Sequence, residues 1–324
     1  MTLPTMLDHR LLVVTGKGGV GKSTTAAALA LAGARTGRRT ALVEVEGRQT
    51  FPSLFDTPAW DFEEREVRPG LFGVSIDAED SLQEYLELFY GAKRLSRFVV
   101  GSTAVEFATT AAPGIKDVLL IGKVKEMERR RDADGRFTYD LIVLDAPPTG
   151  RIVGFLSAPE ATVELVNMGP IRQQARSVVD MITDQARTLA VPVTVLEDLP
   201  VTETLEGAAA LRELGVALGP VVVNRVLPTR LDAAAQARLQ DGLTPQAIAR
   251  RATDAGAPLE AQGAEALLAQ AEAEAARVAL QVELRERLRA DLDAPLLELP
   301  EHYAESFGPA EISALAGTIE ELVR

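Results

Sequence analysis

The chain has 324 residues, with 34 Lys and Arg against 47 Asp and Glu and a formal net charge of -13. That balance removes the excess of Lys and Arg that drives binding to nucleic acid or to an anionic lipid surface, so no nucleic acid partner is expected. Cysteine is absent, which excludes disulfides, cysteine-held zinc, iron–sulfur clusters and a thiolate nucleophile.

His9 and His302 have no second ligand at metal-site spacing and read as ordinary histidines. No stretch reaches the ~18 apolar residues of a membrane span, and the first residues lack a secretory pattern, so a cytoplasmic protein is expected. A chain of this size buries roughly three quarters of its extended surface, which suits one large domain or two close lobes, and a single domain over 1–324 is expected.

In chain order, Leu11 to Thr15 predicts a buried strand, the Gly cluster after it a loop, and the Ala-rich Thr24 to Arg35 a helix. Ala41 to Val45 and Leu71 to Ile76 predict strands. Asp80 to Tyr90 and Ile115 to Arg131 have helical spacing, with acid opening the first and a basic cluster closing the second. Leu141 to Leu144 is an apolar run ending in Asp145. Further strands are expected at Val191 to Leu196, Gly219 to Val223 and Leu296 to Leu299, and one or two long helices over Ala255 to Asp291. Apolar runs alternating with helices imply an α/β fold, a doubly wound and mostly parallel sheet covered on both faces.

Gly16-Lys17-Gly18-Gly19-Val20-Gly21-Lys22-Ser23-Thr24 fits G-x-x-x-x-G-K-[ST] between a strand and a helix, the phosphate loop of an NTPase. Its glycines let backbone N–H groups curl round a β-phosphate and the helix N-terminus adds positive charge. Lys22 reaches the β and γ oxygens, and Ser23 supplies a Mg²⁺ ligand. Asp145, delivered to the C-terminal edge of the sheet, is the second candidate Mg²⁺ residue, and Ala146 to Gly150 is a stiff loop placed to sense the γ-phosphate. No [NT]-K-x-D signature lies near Asn224, which favours ATP over GTP.

Lys17, directly after the first glycine, marks the deviant Walker A subgroup. From these residues onward the chain resembles the arsenical-pump and tail-anchored-protein-targeting ATPase family (ArsA-like), its bacterial anion-transporting branch in particular. Ala112-Pro113-Gly114-Ile115, Asp145-Ala-Pro-Pro-Thr-Gly150, Gly169-Pro170, Glu197 to Thr204 and Val221 to Asn224 match in the family's order, from about Leu11 to about Pro309. The resemblance implies an ATPase that works as a nucleotide-gated dimer, with Lys17 reaching the partner's nucleotide. It also implies that Asn224 contacts adenine and that Pro300 and its neighbours close over the base. It further implies a helical subdomain from about 78–135 and 152–190.

The departures are informative. Where the family has Asp-Pro-Ala after the second strand, this chain has Glu46-Gly47-Arg48, so Glu46 is the expected catalytic carboxylate and slow hydrolysis is expected. Without cysteine there is neither the thiolate arsenite site nor the zinc clamp at the dimer base. Ile152, Val153, Phe155, Leu156, Val163, Leu165, Val166 and Met168 stand where targeting members hold a hydrophobic protein client. Packing onto the sheet or onto the partner subunit is favoured for them, because adaptable grooves are Met-rich and the chain has 5 methionines.

Three functional readings follow. The first is an ATP-hydrolysing switch, as a homodimer or with a paralogue. The second is a weakly hydrolysing regulatory subunit of such a heterodimer. A partition or division-site ATPase is the third, and it predicts a basic amphipathic tail, whereas Pro309 to Arg324 carries Glu311, Glu320 and Glu321 against one Arg. An iron-protein reductase is excluded by the missing cysteines.

Overall fold

A computed structural model describes residues 3–90, 114–165 and 170–323. Ala112 and Pro113 of the Pro-Gly-Ile match, Val166, Met168 and Gly169, and the side chain of Leu165, lie outside the described residues. After a 3₁₀ turn (Leu3–Asp8) the chain forms β1 (Leu11–Gly16), α1 (Lys22–Arg35), β2 (Thr40–Val45) and α2 (Thr50–Phe55). The strands β3 (Arg65–Arg68) and β4 (Leu71–Ile76) then precede the helices α3 (Ala78–Tyr90) and α4 (Ile115–Arg129). Next come β5 (Leu141–Asp145), α5 (Thr149–Leu165), α6 (Pro170–Thr183), β6 (Thr188–Thr194), α7 (Asp198–Glu213) and β7 (Val221–Val226). The last part is helical apart from β8 (Leu296–Pro300): α8 (Ala233–Gln240), α9 (Pro245–Asp254) and α10 (Ala261–Asp291) precede it and α11 (Pro309–Leu322) follows.

Among the described residues eight strands make one sheet in the order β3-β4-β2-β5-β1-β6-β7-β8. Only the β3–β4 pairing is antiparallel; every other is parallel. Strands β1, β2 and β5 are mostly apolar and buried at every position, Glu44 and Asp145 included, as strands covered on both faces must be.

One face is closed by α1, α2 and α11. The alanines of α1, Ala26 to Ala30 with Leu29 among them, are wholly buried, and Ile312, Leu315, Ala316 and Ile319 of α11 share their core. That burial places the apolar face of α11 in the core.

The other face carries α4, α5 and α6, with Leu120, Val124, Ile152, Phe155, Leu156, Val178 and Met181 packed on the sheet. Ile152, Phe155 and Leu156 are therefore core residues and do not line a client groove; Val153 is half-buried and packs against the same cluster. A third cluster joins α7, β7 and the C-terminal half of α10 through Val201, Ala208, Val223, Leu284 and Leu288. Helices α8 and α9 contain no buried residue.

Two buried polar groups tie the second face together. Glu128, at the end of α4, takes Arg10 Nε at 3.2 Å and Arg187 Nη2 at 2.7 Å. Lys125, one turn earlier, donates to Gln174 Oε1 at 2.6 Å and to Ser177 on α6. Burial, with Arg129 and Arg187 nearby, pushes its ammonium down to about 8. The unfolded chain holds that proton to the ordinary lysine range, so stability must rise as pH goes from about 8 towards 10. Lys125→Met is expected to remove this slope, a difference of roughly 1–3 kcal/mol between pH 7.5 and 10 in urea unfolding.

Candidate functional site

Strand β1 lies between β5 and β6, so its C-terminal end opens where the chain order reverses, the crevice in which open α/β sheets bind ligands. The loop from Gly16 leaves β1 there and α1 begins at Lys22. Two glycines are demanded by space. A Cβ on Gly16 would stand 2.2 Å from the Val193 carbonyl oxygen of β6, and one on Gly21, whose φ is 92°, would stand 2.3 Å from Asn224 Nδ2. That amide donates to the Val20 carbonyl at 2.9 Å, so β7 braces the loop from beneath. Asn224 thus makes a bond to loop backbone that its sequence position did not predict.

Gly18, Gly19, Ser23 and Thr24 follow the same path, with Gly19 at φ 89° and Ser23 and Thr24 in the first turn of α1. The Lys22 side chain folds back over the loop, its Nζ 3.4 Å from the Lys17 carbonyl. Ser23 Oγ donates to Asp145 Oδ2 at 2.7 Å. Asp145 is 1% exposed, and its Oδ1 is buried with no hydrogen-bond partner. An unpaired buried oxygen costs about 1–3 kcal/mol, and a hydroxyl beside a carboxylate with a free oxygen is a donor set suited to Mg²⁺ shared with phosphates and water. Among the described residues no group of three or more His, Cys, Asp or Glu could hold a metal by itself.

Electrostatics sharpen the picture. Burial pushes the Asp145 carboxyl above the usual aspartate range, against the pull of the Ser23 hydroxyl, Arg48 and Lys22. Burial likewise lowers Lys22, opposed by Asp145 and reinforced by Arg48.

Glu46 follows the last residue of β2 and sits at φ 65°, with Gly47 at 60° and Gln49 at 56°. The turn is held by Glu44, wholly buried and in register with Asp145, whose carboxylate accepts the N–H groups of Gln49 at 2.8 Å and Thr50 at 2.7 Å. Glu46 itself is bound by Arg151 Nη1 at 2.9 Å and faces Arg48 Nη2 at 3.4 Å. Burial raises its carboxyl, but the two guanidinium groups outweigh that and hold it below the usual range. A carboxylate so engaged is a weak base.

Lys17 pairs with Glu203 of α7 at 2.7 Å, and the Thr149 hydroxyl lies 3.4 Å from the same carboxylate. The loop after β5 is fixed to β1 by Thr15 Oγ1 donating to the Pro147 carbonyl at 2.8 Å and by Ala146 N–H donating to Val14 at 3.0 Å. Pro300 ends the edge strand β8, three strands from β1, and is exposed. The structure thus brings together Gly16 to Thr24, Asp145 and Asn224, sets Glu46 at the end of the strand next to β5, and leaves Pro300 at the rim. Sequence reading missed Glu203 as the partner of Lys17, although the segment Glu197 to Thr204 had been marked.

Residues 9–179 match the model of the anion-transporting ATPase family (ArsA ATPase). The chain is 41% identical over 297 residues to the ATPase BagA of Mycobacterium tuberculosis, covering 90% of this chain and 87% of that protein. It is 25% identical over 273 residues to an ATPase ASNA1 homolog of Entamoeba dispar, covering 69% and 81%. The arsenical pump-driving ATPase of Acidiphilium multivorum is 25% identical over 234 residues, 67% of this chain and 39% of that one.

Proposed function

The chain belongs to the anion-transporting ATPase family and hydrolyses ATP, and from that premise we propose that it is a Mg²⁺-dependent, nucleotide-gated dimeric switch read by a protein or membrane-associated client. The observation that carries this reading is the Ser23–Asp145 pair with its free carboxylate oxygen at the mouth of the phosphate loop.

In this reading the backbone of Gly16 to Thr24 and the N-terminus of α1 cradle the phosphates, and Lys22 reaches the β and γ oxygens. Ser23 and Asp145 hold Mg²⁺, which when bound neutralises charge on those oxygens. Glu46 orients the attacking water, slowly because it is engaged by Arg151 and Arg48. Asn224 and Pro300 border the adenine. Lys17 leaves Glu203 to reach the partner's nucleotide, and the helices within 78–135 and 152–190 form the subdomain that responds. No described helix is long and apolar enough to cross a membrane.

The test combines turnover with mass. Lys17→Ala is expected to lower Mg²⁺-ATP turnover about 100-fold while ADP binding is kept, and a non-hydrolysable ATP analogue is expected to double the mass of the wild-type chain. Tight ATP binding with neither turnover nor self-association would overturn the homodimeric form. It would favour the second reading, a regulatory subunit paired with a paralogue, for which the engaged Glu46 is the specific support.

A further inference from the structure

One carboxylate on α7 touches both segments that frame the phosphate site. Glu203 Oε1 accepts from Lys17 Nζ at 2.7 Å, and its Oε2 lies 3.4 Å from the hydroxyl of Thr149, the first residue of α5. Lys17 belongs to the phosphate loop itself, its carbonyl standing 3.4 Å from Lys22 Nζ. Thr149 ends the stiff turn from Ala146 to Pro148, which is bonded to Val14 and Thr15 of β1. Two oxygens of a single group thus join the phosphate loop to the turn after β5.

The surroundings hold that carboxylate in place. Val201 and Thr204, close by on the same helix, are buried, so the backbone that carries Glu203 is fixed. Gly207 lies one turn further along the same face, and a Cβ there would stand 3.3 Å from Thr149 Cγ2. Bare backbone at that point lets α7 and the start of α5 approach closely, which seats Thr149 beside the carboxylate. The pair itself is open to water, with Lys17 26% and Glu203 33% exposed. Such a pair is weak, and a triphosphate, with more negative charge than one carboxylate, outcompetes it for the lysine.

We propose that Glu203 is a positioning residue of the ATPase, a bracket that holds Lys17 and Thr149 together and that a bound triphosphate must open. The inference rests on the ATPase reading of the phosphate loop and deepens it. Opening frees Lys17 and the first turn of α5 in one event, because one group holds both. That turn also carries Arg151, whose Nη1 binds Glu46 at 2.9 Å, so release of Thr149 loosens the arm that engages Glu46. ADP lacks the γ oxygens that the turn after β5 is placed to meet, and it leaves the bracket closed. Glu203 therefore weakens the binding of ATP while sparing that of ADP, and it ties the release of Lys17 to the γ-phosphate.

The test titrates MgADP and the magnesium complex of a non-hydrolysable ATP analogue into Glu203→Gln, Glu203→Ala, Lys17→Met, the double variant Lys17→Met with Glu203→Ala, and Lys22→Ala, each with a thermal melt. Glu203→Ala is expected to bind the analogue about two- to fivefold more tightly, the range of one exposed ion pair, with MgADP affinity unchanged. Glu203→Gln should show a smaller gain, because its amide oxygen still accepts from Lys17. In the Lys17→Met background the gain from Glu203→Ala should vanish, as coupling between the two residues requires. A gain that persists there would mark a plain loss of negative charge near the site and overturn the inference. Unchanged or weaker binding of the analogue by Glu203→Ala would overturn it too, as would an equal gain for ADP. A lowered melting temperature with both affinities reduced would mark Glu203 as structural and do the same. Wild-type nucleotide affinity in Lys22→Ala would instead overturn the reading of the phosphate site itself.

Discussion

Lys22→Ala is expected to reduce ATP turnover by at least about 100-fold and to weaken Mg²⁺-ATP binding, with no loss of folded stability. The residue is 9% exposed and its side chain folds back over its own loop, Nζ 3.4 Å from the Lys17 carbonyl, the position from which the proposed reading has it reach the β and γ oxygens. Lys17 is held by Glu203 at 2.7 Å, and Arg48 faces Glu46 at 3.4 Å. Burial disfavours the Lys22 charge in the ligand-free chain, so removing it relieves a desolvation cost while the Asp145 carboxyl loses one attraction. The melting temperature should therefore stay level or rise. Steady-state turnover, nucleotide titration and a thermal melt on the same preparation check all three; an early melt beside lost activity would show a folding defect.

Glu128→Ala is expected to have the opposite signature, a loss of about 3–5 kcal/mol with nucleotide binding retained. Its carboxylate is 2% exposed and accepts from both Arg10 and Arg187, which sit before β1 and β6 at the edge remote from the phosphate loop. Truncation leaves two guanidinium groups facing each other without their anion. Glu128→Gln should fall between, since an amide still accepts a hydrogen bond but cannot offset two charges. Urea unfolding followed by fluorescence of the chain's one tryptophan measures the difference.

What the sequence revealed followed from how local each signal was. The strands β1, β2, β4 and β5 were legible because each is largely buried and reads as a short, mostly apolar run. Strand β3, Arg65–Arg68, was not, because it is a charged edge strand of four residues paired antiparallel to β4. Strand β6 runs from Thr188 and ends at Thr194, while Val191 to Leu196 had been expected. Its extent is set by pairing with Leu11 to Gly16 of β1, and Val195 and Leu196 lie beyond that partner. The long helix begins at Ala261, later than Ala255, because Ala255 caps α9.

The candidate site divides in the same way. The phosphate loop lies within nine consecutive residues and its geometry is written in its glycines, and Asp145 is announced by the strand that carries it. The Lys17–Glu203 pair joins residues 186 positions apart, and the bracing of Val20 by Asn224 spans 204. Such contacts are products of strand order. The engagement of Glu46 by Arg151 likewise depends on α5 passing the end of β2.

The alanines of α1 have a practical consequence for anyone altering this protein. They have little side chain to yield, so the helix lies close against the sheet, and its first turn is the same turn that carries Lys22 and Ser23. A larger residue at Ala26 or Ala30 has nowhere to go except by lifting that helix, and the loop would travel with it. Directed evolution or library screening along α1 should therefore find stability and turnover falling together, with few substitutions that trade one for the other. The β3 edge and the solvent-facing α8 and α9, which share no residue with the phosphate loop, are where tags, labels and insertions can be placed without disturbing it.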